Sequence, residues 1–163
     1  MRLLGAFWAV IGFSLLLIVA IHRLGEMALE GLADSLNWMH WALLIANVAF
    51  MAYSEGYRGF QLKFSPRFAL RVAHVHRQGT LVECLLAPFY AMGFFSAPRR
   101  VIITTYALTL MIIGFVITFR YIPQPWRGVL DAGVVVGLLW GLLVSWREVV
   151  RHWPNHRLSE ESS

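Results

Sequence analysis

The chain has 163 residues, 58% of them hydrophobic and only 14% charged, with a formal net charge of +5. A soluble domain carries about 25% charged residues, so this chain has too few to cover a surface in water; a mean hydropathy of +0.62 points to lipid as the surrounding medium. The length leaves room for one domain. The basic surplus lies between apolar runs, where it suits membrane anchoring and not nucleic acid, and the single Cys84 excludes an intrachain disulfide.

Leu3 to Ile21 is uncharged and long enough, at 1.5 Å per residue, to cross about 28 Å of hydrocarbon. A cleaved signal sequence would have a shorter apolar region ending in small residues, so this run reads as a retained helix. From His22 to Leu36 an acidic stripe of Glu26, Glu30 and Asp34 faces away from Leu24, Met27, Leu32 and Leu36, which predicts a separate amphipathic helix at the membrane interface. The second span is predicted over 38–55, flanked by Trp38, Trp41, Tyr53 and Tyr57 as interfacial belts are.

Arg58 to Gln78 is basic. Ser65-Pro66 has the form of a helix start, opening an amphipathic helix with Arg67, Arg71, His74 and Gln78 on one face and Phe68, Val72 and Val75 opposite. Thr80-x-x-Glu83 reads as a capping box opening a short helix over 80–95, kinked at Pro88. Further spans are predicted over 99–120 and 127–147, joined by a connection that contains Pro123 and Pro125. Residues 154–163 form a polar tail.

Charge bias decides whether 80–95 crosses. If it does not, eleven of the fourteen basic residues share a side; if it does, the division is eight to six. Positive residues are retained in the cytoplasm. The expectation is therefore an all-α, multi-pass bundle over 1–153, with four spans, a kinked re-entrant or interfacial helix, amphipathic interfacial helices and both termini cytoplasmic, in a bacterial inner membrane.

Polar groups inside a bilayer are costly and draw attention as functional candidates. His40, Asn47 and Ser54, seven residues apart, form a polar stripe on the second span that would line a path or make interhelical hydrogen bonds. Glu55, Tyr57 and Arg58, with Arg71 and His74, are expected to gather at the inner interface, as a local ion pair or a head-group site. His22 and His40 are expected at matched depth near the outer interface. No further ligand pattern accompanies them, so neither haem nor a metal is expected. Gly133, Gly137 and Gly141 make a smooth ridge suited to a second helix, in this chain or in another copy. Arg127 and Asp131 are spaced as an ion pair.

No phosphate loop, HExxH run or catalytic triad is present in the sequence. The first role expected is a structural or accessory membrane protein, packing with itself or with partner subunits and touching anionic lipid head-groups. A small transporter or channel using the polar stripe is second. A membrane enzyme acting on a lipid or quinone, through Glu55 and Arg58 beside His74, His76, Glu83 and Cys84, is third.

Overall fold

The computed structural model describes residues 2–33 and 35–153. Among these there is no strand. The helices in chain order are α1 (Arg2–Ala33), α2 (Trp38–Met51), a π-helix (Ala52–Phe64), α3 (Ser65–Gln78), α4 (Leu81–Leu85), α5 (Ala87–Met92), α6 (Arg99–Phe119) and α7 (Trp126–His152). Three of them, α1, α6 and α7, are long and apolar enough to be membrane spans.

Two expected boundaries disappear. The acidic stretch after His22 is not a separate interfacial helix: α1 runs unbroken through it to Ala33, about 48 Å at the usual rise. Neither glycine in that stretch interrupts it, and Gly31 lies against Gly128 of α7. Asp34 and the tail 154–163 lie outside the described residues. Likewise, Ser65-Pro66 does not open a new helix. Backbone angles stay helical at Ala52 and at Ser65, so α2, the π-helix and α3 form one continuous rod. Within the rod Pro66 occupies the first turn of α3. The basic stretch is thus the later part of the second long helix, with Phe68, Val72 and Val75 buried in the core, and not a separate amphipathic helix.

The order of contacts fixes the directions. Phe7 meets Trp153, Ser14 meets Trp146 and Gly31 meets Gly128, so α1 and α7 are antiparallel. Asn47 reaches Val129 and Leu130, Glu55 lies against Gly137, Phe60 against Gly141, and Ser65 against Ser145. The second rod and α7 therefore run parallel, side by side. Arg2 donates to the Arg77 carbonyl at 3.1 Å, which puts the start of α1 beside the end of α3. The two ends of the described chain thus lie at the same end of the bundle.

The core is built at that end, from Ala6, Ala9, Val10, Phe13 and Leu17 of α1, Phe68, Ala69, Val72 and Val75 of α3, and Ala87, Tyr90 and Ala91 of α5. The small residues let the backbones approach, and Phe13 fills the remaining gap by packing on Phe64 and Phe68 at 5.3 and 4.5 Å. The segment expected as one kinked helix over 80–95 is two short helices broken at Leu86, with Pro88 in the first turn of the second. Its Cys84, Leu85 and Pro88 lie beside Gly5, Trp8 and Gly12 of α1. It climbs only a short way along α1, and left-handed Gly93 then ends α5. Helix α7 begins at Trp126 and continues to His152, beyond the expected 147.

Helix α6 is the outlier. Its N-terminal turns touch the α5 end through Thr105 and Tyr106, which meet Met92 and Phe94. None of its membrane-span window is buried.

Adding a side chain to the ridge should destabilise the bundle. A Cβ at Gly141 would fall 2.5 Å from the Phe60 ring, whereas one at Gly114 meets nothing within 4 Å. Gly141→Leu is expected to cost about 1–3 kcal/mol, in the range of overpacked cores, and to lower the thermal midpoint in detergent. Gly114→Leu should leave that midpoint unchanged.

Candidate functional site

The polar stripe of the second rod serves three separate local purposes. Asn37 caps α2: its Oδ1 accepts from the backbone N–H groups of Met39 and His40 at 3.0 and 3.1 Å. The Nδ1 of His40 accepts from the Asn37 backbone N–H at 3.2 Å, closing a reciprocal box in which His stands where Glu or Gln is usual. The same ring packs on Trp126, with centroids 4.5 Å apart. Between two and three turns into the rod, Asn47 donates to the carbonyls of Val129 and Leu130 at 2.8 and 3.3 Å. It reaches them because Gly133 has no side chain; a Cβ there would collide with the Asn47 amide. Ser54 donates back to Phe50 of its own helix at 2.7 Å. An apolar groove of about 280 Å³, lined by Leu43, Ala46, Asn47, Trp126, Val129 and Leu130, lies beside Asn47.

The expected inner-interface cluster is not brought together. Glu55 lies against Gly137, near the middle of α7. Arg58 is exposed, and among the described residues Glu55 and Arg58 form no ion pair. Tyr57 stacks on Tyr53 at 6.0 Å. Arg71 and His74 belong to α3, roughly 20 Å further along the same rod. The π-helix continues the rod past the end of the second apolar run and so separates the two groups of residues.

Arg71 and His74 instead converge on Tyr90. Arg71 donates to the carbonyls of Tyr90, Phe95 and Ser96 at 2.7, 3.4 and 3.2 Å, and its guanidinium lies 4.9 Å from the centroid of the Tyr90 ring. A cation is favourable there, because the exposed carbonyls at the end of a helix carry negative partial charge. The imidazole of His74 stacks on the same ring at 6.0 Å. This clasp holds the turn after α5 against α3.

His22 and His40 are not at matched depth. His22 pairs with Glu26 at 3.6 Å. His40 is at Trp126, two residues from the Gly31–Gly128 contact and so about 13 Å higher along α1. Among the described residues no group of three or more His, Cys, Asp or Glu side chains could hold a metal ion. Cys84 lies in the cleft between Gly5 and Gly79, well away from Glu55 and Arg58 in the order of contacts.

Further polar contacts lie between and within the helices, and of these only the Arg127–Asp131 pair is one expected from its spacing. Ser65 and Ser145 share a buried hydrogen bond of 2.9 Å, and Trp146 donates to Ser14 at 2.9 Å. Gln124 bridges two helices, donating to the Met27 carbonyl and accepting from the Gly128 N–H at 3.3 and 3.0 Å. Asp131, only 2% exposed, lies 3.5 Å from Arg127. Buried Glu148 lies within reach of Arg147, Arg151 and His152 at 3.1, 3.3 and 3.7 Å; its spacing to the last two could have revealed it.

No known protein-family model matches the chain, and no curated protein or solved structure is significantly similar to it.

Two predictions follow from the polar contacts. Asn47→Leu removes both bonds to α7 and crowds Gly133, so it should lower stability by about 1–2 kcal/mol, read as a lower thermal midpoint in detergent. Glu83 is held below the usual carboxylate range, first by the hydrogen bond from the Thr80 backbone N–H, against an opposing effect of burial, then by the Thr80 hydroxyl and the charge of His74. A lowered folded pKa means that the capping box stabilises fully above the unfolded value, about 4.3, and fades as pH falls through the folded one. Amide exchange over 81–85 should therefore accelerate on acidification towards pH 3, and Glu83→Gln should flatten that dependence.

Proposed function

We propose that the chain is an integral membrane protein that crosses the bilayer four times, through α1, the rod beginning at Trp38, α6 and α7, and serves as a structural or accessory subunit. Its ends, with Arg2, Arg77, Arg147 and Arg151, face the cytoplasm of a bacterial inner membrane, where retained positive charge and anionic lipid head-groups suit one another. The four-span reading is supported by the parallel pairing of the second rod with α7 and by the shallow excursion of α4 and α5 along α1.

One observation carries the accessory role: the interior polar groups are spent on holding helices together. Asn47, Ser65 and Gln124 bind across to α7 or α1, and the ridge of Gly133, Gly137 and Gly141 is filled by side chains of the same chain. Surface for a partner is left on α6, whose apolar residues face outward around its circumference, and on the outer face of α1.

A transporter is the second reading, favoured by Glu55. This carboxyl sits on a π-helix beside the middle of α7. π-turns are frequent at functional positions, and ionisable groups at that depth mark ion paths.

Purification in mild detergent separates the two. The accessory reading expects further membrane subunits to co-purify in fixed ratio; a homogeneous lone species would count against it. Sealed vesicles holding the purified chain should show no ion or solute flux. Flux that is abolished by Glu55→Gln would replace the accessory role with transport.

A further inference from the structure

We propose that the cleft between α3 and the end of α7 binds the phosphate-bearing head-group of an anionic phospholipid. The cleft has a volume of about 280 Å³ and is lined by Leu70, Ala73, His74, Arg77, Gln78 and His152. Four of these six side chains carry hydrogen-bond donors, and Arg77 brings a permanent positive charge. None of the six is a carboxylate. The nearby Glu148 is held by Arg147 and Arg151, so its charge is compensated before an anion arrives. His152 contributes through the nitrogen its helix leaves over. Its Nδ1 is 3.0 Å from the Glu148 carbonyl; when Nδ1 donates there, Nε2 is the ring atom left for the cleft, and it donates to an anion in the doubly protonated ring.

The order of the lining along α3 selects a lipid over a free anion. Arg77 and Gln78 are at the end of the helix, beside Arg2. Leu70 and Ala73 lie one to two turns back towards the middle of the bundle, and Leu70 is 56% exposed. A molecule that fits this sequence is polar at the bundle end and apolar towards its centre. Basic pockets between helices at a cytoplasmic surface bind anionic head-groups by such an arrangement. The proposal rests on the membrane reading above but not on the accessory role.

The test uses the full chain in detergent, with bound lipid counted by native mass spectrometry. Phosphatidylglycerol and phosphatidylcholine with the same acyl chains are compared, and inorganic phosphate is titrated as the free-anion arm. Phosphatidylglycerol should be retained about tenfold better than phosphatidylcholine, a ratio of the size expected for one or two added charge contacts. Arg77→Gln and His152→Gln should each reduce that preference several-fold, while Arg58→Gln, which removes the same charge elsewhere, should preserve it. Thermal midpoints matching the unmodified chain show that both cleft variants fold; if one does not, the other carries the comparison.

Equal retention of the two lipids would overturn the proposal, as would a loss in Arg58→Gln as large as in Arg77→Gln, which would mean diffuse attraction. Full displacement of phosphatidylglycerol by millimolar phosphate would assign the cleft to a free anion and overturn the lipid assignment. A chain that stays dispersed without detergent would instead refute the membrane reading itself.

Discussion

The structure depends on how closely the second rod can approach α7. Three glycines at four-residue intervals strip one face of α7 to its backbone, and Ser145 continues the line. Against that line lie Met51, Glu55, Phe60 and Ser65. Helices packed this closely gain dispersion contacts along their length, and polar side chains can reach the neighbouring backbone. Asn47 does so, with a bond that needs both its own amide and the bare surface at Gly133. The rest of the bundle is arranged around this pair: α1 packs antiparallel against α7 and α3, and the short helices lean on α1.

The polar groups follow the same economy. A buried amide or hydroxyl without a partner costs free energy whether the surroundings are protein or lipid. Asn37, Asn47, Ser54, Ser65 and Gln124 each complete a bond that a helix or helix pair already requires. Arg71 does this on the largest scale, collecting the carbonyl of Tyr90 in α5 and those of Phe95 and Ser96 in the turn that follows. Two interior carboxylates come with a complement, Asp131 with Arg127 and Glu148 with Arg147 and Arg151, whereas Glu55 lies against Gly137 with no ion pair among the described residues.

Features with a local cause were legible in the letters. The long apolar runs of α1, α6 and α7 declare themselves by length, the Thr80–Glu83 box by its residue pattern, and the ridge by its glycine spacing. Features set by a neighbour were not. Nothing within Ala52–Phe64 spells a π-helix, because its wider turns answer a demand made by α7. Depth along the rod is a related case. The apolar run ends at Tyr53 but the helix goes on, so Glu55 and Arg58 stand about 20 Å from Arg71 and His74. His40 resembled a path residue because its role as a cap depends on an imidazole standing in for a carboxylate.

The wide-turned segment also works as a vernier between two rods of unequal pitch. The facing residues of α7 recur every four positions, at 133, 137, 141 and 145, while their partners fall at 51, 55, 60 and 65. The second rod thus fits extra residues into the same height while keeping its contact face turned inward, which a uniform 3.6-residue helix would not do. Loss of a single residue from this stretch could leave it helical, yet everything downstream would swing by about 100°. Phe68, Val72 and Val75 would leave the core, and Arg71 would turn away from its carbonyls. Over these thirteen residues the number of residues is therefore constrained more tightly than the identity of most of them.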